Sequence, residues 1–146
     1  MTDDGSALLA KLSDPDERVR VDAALALHAC KHPSATDACV RTIDDGADEL
    51  HLDRTPAVRC LIEIGMPALL PVLDLLLAPE QMTRLRAQRA VEGITLTHPE
   101  FHAPDRQARE ANWRAWWRAM GYAYDAGDAQ RQDAVSRLRT WAGARK

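Results

Sequence analysis

A three-fold internal repeat constrains the fold of this chain more than any other feature. The pattern arginine-x-x-small-x-x-small-apolar-x-x-apolar occurs three times, beginning at Arg20, Arg54 and Arg84. Small residues three positions apart allow a helix to approach its neighbour closely, and the flanking apolar residues fill the seam. Each copy follows another apolar helical stretch, at residues 7–12, 39–43 and 68–77. Each repeat is therefore predicted to be a helical hairpin, which buries its apolar face only by stacking on other hairpins.

The composition favours helix over sheet. Of the 146 residues, 46% are hydrophobic, yet the chain has one Phe and two Tyr, so Ala, Leu, Val and Ile supply the apolar content. No alternating strand pattern competes. We expect an all-α fold, namely an α-solenoid of about three hairpins over residues 1–97. Residues 98–146 are predicted to form a Trp-rich helical cap within the same compact unit.

Turn residues punctuate the predicted helices. Asp14 is expected to cap a helix with Pro15 at its first position, and Pro79-Glu80 to open the third copy in a similar way. Gly65 is expected to close one helix just before the next begins.

Two segments carry a resemblance to a known family. LLAKLSDPDERVRVDAALAL (8–27) and MPALLPVLDLLLAPEQMTRLRAQRAVEGIT (66–95) resemble the HEAT-repeat family, in particular its short bacterial form often called PBS-lyase-like. The second segment lacks the Asp-Pro turn, and the middle copy carries Pro56 in its helix. The resemblance spans roughly residues 6–97 and implies that the repeat arginines tie to an Asp of a neighbouring turn. The alternative is an anion-binding column of Arg20, Arg54 and Arg84 on the concave face.

The C-terminal part departs from the repeat. The run HPEFHAPD (98–105) predicts a surface connection, because its two prolines break helices. Beyond it, one helical face carries Trp113, Trp116, Trp117 and Met120. Gly121 is expected to end that helix, and a last helix from about Asp128 to present an apolar side consisting of Val135, Leu138 and Trp141.

Two interpretations of the tryptophans remain open. Three large aromatic side chains suit a cap that seals the last seam of the stack. Alternatively, they form an exposed aromatic platform together with Tyr122, Tyr124, Arg114 and Arg118, for stacking on bases or gripping a peptide.

No catalytic or metal-binding motif is complete. His98, Glu100 and His102 do not form the HExxH pattern and are expected to be solvated loop residues. His28 and His32 have helical i, i+4 spacing, but with no third ligand suggested they are expected to cap a helix end. The pairs Asp44-Asp45 and Asp48-Glu49 are interpreted as a solvated turn. We expect no catalytic residue, no cofactor and no metal.

Cellular context follows from simple features. Cys30, Cys39 and Cys60 form no CxxC pair and are expected to be reduced core thiols. The beginning of the sequence is acidic, and no stretch has the roughly 20 apolar residues that span a bilayer. The chain is therefore expected to be soluble and cytoplasmic.

The predicted function is non-catalytic: an adaptor that binds another protein or peptide on the concave face of the solenoid. The candidate contact residues are Arg20, Arg54, Arg84, Trp113, Trp117, Arg114 and Arg118. Self-association through the first hairpin, whose exposed side would include residues 7–12, is also expected.

Two other functions are alternatives. Residues 100–146 carry a net charge of +3 and residues 1–99 carry −6, so the C-terminal helices are candidates for nucleic-acid binding. The arginines concerned are Arg106, Arg109, Arg114, Arg118, Arg131, Arg137 and Arg139. An enzyme of the bilin-lyase type is suggested by the family resemblance alone.

Overall fold

The computed structural model describes residues 4–48 and 54–145. Within those ranges the chain forms eight α-helices and no strand, which confirms the all-α prediction. None of the described helices is long and apolar enough to cross a membrane. The helices are α1 (Asp4–Lys11), α2 (Glu17–Ala29), α3 (Ala35–Arg41), α4 (Pro56–Ile64), α5 (Leu69–Leu75), α6 (Gln81–Leu96), α7 (Arg106–Met120) and α8 (Asp128–Gly143).

The helices pack in two layers. The second helices of the first three hairpins, α2, α4 and α6, contact one another in succession. On the other side, α3 packs on α5 and α5 packs on α8, while α1 contacts α2. The order is reversed in the last hairpin, where α8 extends the layer of α3 and α5, and α7 contacts α6. The predicted cap therefore joins both layers.

The core is continuous from the middle of the chain to α8. Its buried side chains run from Cys39 in α3 to Ala142 in α8, and they include most of the apolar faces of α4, α5 and α6. A second, smaller cluster joins α1, α2 and α3. Leu12 belongs to it and is 3% exposed, and Leu8 and Leu9 are half-buried. The expectation that residues 7–12 present an exposed apolar side is thus wrong for Leu12.

The packing of α6 against α4 is tight at Gly93. A Cβ atom at this position would lie 2.4 Å from Cδ1 and 2.6 Å from Cγ1 of Ile62. Both distances are far below van der Waals contact, so any larger side chain would displace Ile62. A glycine inside a helix costs helix propensity, and here it lets the second and third hairpins meet.

Helix ends follow the predicted punctuation in part. Gly65 (φ 82°) and Gly121 (φ 77°) end α4 and α7 with positive φ, as their positions predict, and Gly121 is in the left-handed helical conformation. The N-cap of α2 is Asp16, whose side chain accepts from the Arg18 amide. The prediction of Asp14 as N-cap and Pro15 as first helical residue is therefore wrong. Asp14 instead accepts from the Asp16 amide and shapes the turn before the helix.

The connection before α7 is not wholly on the surface. Residues Pro99–Phe101 form a 3-10 turn, and Phe101 is only 3% exposed. Its ring lies 5.0 Å from that of Trp116 and 6.2 Å from that of Trp141. Phe101 thus anchors the connection in the core between α7 and α8.

Candidate functional site

Arg20 and Arg84 make the same contact with the turn that precedes their own helix. Nη1 of Arg20 donates to the carbonyl oxygens of Asp14 (2.8 Å) and Pro15 (3.1 Å). Nη1 of Arg84 donates to those of Ala78 (2.9 Å) and Pro79 (3.0 Å). In both repeats a guanidinium therefore holds the turn that contains the proline.

The other side of each guanidinium reaches the next hairpin. Nε and Nη2 of Arg20 donate to the two carboxylate oxygens of Asp45 at 2.9 and 3.0 Å, the contact with a neighbouring Asp that the family resemblance implies. Nε of Arg84 donates instead to the carbonyl oxygen of Tyr124 at 2.8 Å. These arginines connect successive hairpins, and their donors are largely occupied.

Arg54 does not share this geometry. It lies two residues before α4, so it does not stand on a helix as its repeat position predicts. The helix begins late because Thr55 is its N-cap, accepting from the Val58 amide, and Pro56 follows at the first helical position. The turn that precedes Arg54, residues 49–53, lies outside the described residues. Arg54 is therefore not placed like Arg20 and Arg84, which both stand on a helix.

The tryptophans of α7 lie against the core without being fully buried. Nε1 of Trp113 donates to Oγ1 of Thr95 at 2.8 Å, and the ring stacks on that of Trp117 at 5.6 Å. Trp116 packs 4.7 Å from Trp141 of α8. All three are half-buried. This arrangement fits a cap whose outer edge remains accessible.

Tyr122 does not belong to an exposed platform. It is 5% exposed, and its hydroxyl donates to the carbonyl oxygen of Leu76 at 2.7 Å. Burial raises the pKa of Tyr122 to about 12, since the phenolate would lose its hydration. Tyr124 is half-buried as well, with its amide bound to Oε1 of Gln88. The platform interpretation is therefore wrong for Tyr122.

Three of the predicted contact residues line one recess. A cavity of about 380 Å³ at the C-terminal end of α7, here called the C-terminal recess, lies between α7, the segment after it and the start of α8. Arg114 is 67% exposed and is 3.9 Å from the carboxylate of Glu110. The recess combines a partly aromatic wall with a cationic rim. Its lining residues are Arg114, Trp117, Arg118, Gly121, Tyr122, Ala123 and Gln130.

A second cluster joins α2 to α4. Nε2 of His28 and Oε1 of Glu63 are 2.8 Å apart, and Sγ of Cys60 lies close to both, with all three atoms within 4.8 Å of one another. The second histidine of the predicted pair, His32, turns away to accept from the Ser34 amide through Nδ1. His28 is thus engaged by Glu63 across the helix pair.

The thiol of Cys60 has an unusual environment. The neighbouring thiol of Cys39 is the main cause that lowers the pKa of Cys60. Burial opposes this, and the charges of His28 and Arg59 add to it. The same contact and burial raise the pKa of Cys39. Cys39 and Cys60 are buried as predicted, whereas Cys30 is exposed at the end of α2, so its predicted place in the core is wrong.

The remaining candidates are structural. His98 caps the 3-10 turn through its Nδ1, and Glu100 accepts from Nε1 of Trp141 and from Nε of Arg145. Asp45 is bound by Arg20, and Asp44 accepts from Thr83 and Arg86. These acidic residues connect helices rather than forming a solvated pair. Glu49, also assigned to that turn, lies outside the described residues.

Sequence reasoning missed the cluster of His28, Cys60 and Glu63 because its members are brought together by the packing of hairpins. A weak signal exists: the repeat alignment places Glu63 one position beyond the equivalent of His28. Since α2 and α4 are neighbours, such positions come close.

Comparison with known proteins gives no relative: no family model, no curated protein and no solved structure matches the chain.

Proposed function

We propose that this chain is a HEAT-like α-solenoid module that binds a protein partner and carries no catalytic function of its own. The repeated guanidinium contacts of Arg20 and Arg84 with their own turns support the repeat interpretation. The succession of α2, α4 and α6 in one layer agrees with it. Such arrays present extended surfaces to partners.

The partner binds at the C-terminal recess, and the observation that carries this is the grouping of Arg114, Trp117 and Arg118 around one cavity. Tryptophan and arginine are the side chains that most often dominate binding energy at protein interfaces. An aromatic wall beside two arginines fits an acidic segment that also carries an apolar side chain. Charge complementarity accelerates encounter, and the apolar contact supplies affinity.

The layer of second helices is the other candidate surface, and its charges are largely paired. His28 and Arg59 both contact Glu63, and Arg89 contacts Glu92 at 2.8 Å. Paired charges of this kind give little field toward an incoming partner. In the part of the chain that the structure describes, Arg118 forms no ion pair, so its charge is available.

Nucleic-acid binding is less well supported by the same geometry. Single-stranded nucleic acids bind on aromatic faces that are open for base stacking. Here Trp113 and Trp117 stack on each other with an interplanar angle of 10°, and Trp116 packs against Phe101 and Trp141. The rings are thus mostly occupied by one another.

Affinity capture tests the proposal when it compares matched variants with and without nuclease. The Arg114→Glu/Arg118→Glu variant reverses the two charges of the recess. The control Arg18→Glu/Arg106→Glu makes the same change of net charge on exposed positions away from it. We expect a specific protein that is retained by wild type and control, survives nuclease and is lost with the recess variant.

Two outcomes would contradict the proposal. If the recess variant retains the partner as well as wild type does, the partner binds at a surface other than the C-terminal recess. Retention that disappears with nuclease would replace protein binding by nucleic-acid binding.

A further inference from the structure

His28, Cys60 and Glu63 bring three different donor atoms to one point between two helices. Cys60 and Glu63 are three residues apart and share a face of α4, and His28 faces them from the last turn of α2. The contact between α2 and α4 holds the histidine opposite the other two. The arrangement depends on helix packing and not on a mobile loop.

The donor set selects a class of metal. Imidazole nitrogen, thiolate sulfur and carboxylate oxygen are the three ligand types that zinc accepts, whereas magnesium and calcium prefer oxygen alone. A buried sulfur beside an exposed carboxylate therefore favours a borderline-soft divalent ion.

We propose that Nε2 of His28, Sγ of Cys60 and the carboxylate of Glu63 bind a divalent transition-metal ion of the zinc type, with water as the remaining ligand.

The distances suit such an ion after a small movement. Metal–ligand distances of about 2.0–2.3 Å in tetrahedral geometry place the ligand atoms roughly 3.3–3.7 Å apart. The three atoms already lie within 4.8 Å of one another. The side chains of His28 and Glu63 are 25% and 49% exposed, so both can rotate toward the fixed sulfur of Cys60.

A cavity provides access to the ion. It has a volume of about 290 Å³, and its lining residues include His28, Glu63, His32 and Thr36. Water can reach the fourth position from this side, which is the arrangement of sites that keep an exchangeable ligand. The metal would take the place of Arg59 at the carboxylate of Glu63, to which Nη1 of Arg59 now lies at 3.4 Å. Arg59 also has another interaction besides this one.

Bound metal would cross-link the first two hairpins. In its absence α2 and α4 are joined here by the His28–Glu63 hydrogen bond, which is partly exposed and therefore weak. Three coordinate bonds would replace it. The site is independent of the C-terminal recess, because none of its residues lines that cavity.

Cobalt(II) titration tests the site directly. The full chain, without an affinity tag and with its thiols reduced by a phosphine, is titrated with Co²⁺ while the absorption is recorded. We expect a thiolate-to-cobalt charge-transfer band and weak visible bands typical of tetrahedral Co²⁺, saturating at one ion per chain and displaced by Zn²⁺.

Variants assign the ligands. Cys60→Ser and His28→Gln should abolish the charge-transfer band, and Glu63→Gln should weaken binding. The matched controls Cys30→Ser and His102→Gln alter an exposed thiol and an exposed imidazole outside the cluster and should retain the band. Circular dichroism would check that each variant is folded. Since the His28 side chain is partly exposed, His28→Gln keeps the test valid should Cys60→Ser unfold.

The melting temperature gives an independent measurement. Zn²⁺ should raise it for wild type and for both controls, but not for His28→Gln. The inference is overturned if folded wild type shows no charge-transfer band, or if the band persists in either variant, Cys60→Ser or His28→Gln, when that variant is folded.

Discussion

Arg84 illustrates how a single residue joins the third hairpin to the cap. It is 8% exposed, and its donors meet carbonyl oxygens rather than a carboxylate. Two of those carbonyls, of Ala78 and Pro79, belong to its own turn, and the third belongs to Tyr124 beyond α7. Among the described residues no carboxylate pairs with Arg84, so these hydrogen bonds are what replaces the hydration of its buried charge.

Arg84→Lys should therefore be destabilising although it conserves the charge. An ammonium group on an unbranched chain does not reproduce the planar fork that reaches the turn and Tyr124 together. We expect a loss of about 2–3 kcal/mol in the free energy of unfolding, measured by urea denaturation. Arg18→Lys, an exposed position on α2, is the control and should change it by less than about 0.5 kcal/mol. Equal effects of the two changes would contradict the role given to Arg84.

Because Tyr122 is buried, we expect the free energy of unfolding to decline at alkaline pH. Its pKa is raised to about 12 by burial, whereas in the unfolded chain it stays near 10. Between these values the unfolded state loses a proton that the folded state keeps. Stability contributed by this group is thus complete below pH 10 and declines as the pH rises toward 12. Tyr122→Phe should flatten that decline in urea midpoints measured against pH, and Tyr124→Phe should not.

The residue roles were only partly predictable. Arg20 and Arg84 stand at matching repeat positions, and each donates to the carbonyl oxygens of the turn before its helix. The prediction that Arg54 stands on a helix is wrong, because Thr55 is the N-cap of α4 and the helix begins at Pro56. Thr55 also donates to the carbonyl oxygen of Ile43 at 2.6 Å. A Thr-Pro helix start was visible in the sequence. The contact of His28 with Glu63 was not visible, because it spans 35 residues and depends on which helices are neighbours.

Elements were predicted better than their depth of burial. The spacing of the tryptophans places them on one face of α7, and the structure agrees. Yet α7 has no fully buried residue, whereas α8 buries Ala134, Val135, Leu138 and Trp141. An apolar stripe in the sequence predicts which face of a helix packs inward. How deeply that face is buried depends on how many neighbouring helices cover it. Within the described residues, α7 contacts α6 and α8 and has no helix on its outer side.

The contact of α4 with α6 gives a prediction at the scale of elements. Gly93→Ala gains about 1 kcal/mol of helix propensity, but its methyl group would meet Ile62 at 2.4 Å. We expect a net loss of about 1–2 kcal/mol from this overpacking. Truncating Ile62 removes the clash, so in an Ile62→Ala background Gly93→Ala should increase the free energy of unfolding instead of lowering it. A double-mutant cycle of urea unfolding measures this coupling. If the effects of Gly93→Ala and Ile62→Ala on the free energy of unfolding simply add, the two positions are not coupled and the predicted clash does not occur.

At the scale of the whole molecule, the two clusters of buried residues divide the chain unequally. The larger one extends from α3 to α8, so the predicted repeat region and the predicted cap share one core. The smaller one, around Leu27, holds α1 and α2 to α3. Ile64 is a side chain that packs against both. Because the smaller cluster holds fewer buried side chains, we expect the first hairpin to open before the rest.

Two spectroscopic signals separate these parts. All four tryptophans lie in α7 and α8, so their fluorescence reports the larger cluster, whereas circular dichroism reports every helix. Leu138→Ala truncates a side chain that is 1% exposed and leaves a cavity in the larger cluster. It should lower the urea midpoints of fluorescence and of circular dichroism together, by an amount equivalent to about 2–5 kcal/mol. Leu27→Ala makes the same truncation in the smaller cluster. There the dichroism should begin to fall at lower urea while the tryptophan transition stays near its wild-type midpoint. If Leu27→Ala moves both signals equally, the first hairpin unfolds with the rest, and Ile64 transmits enough packing between the clusters to make the chain a single cooperative unit.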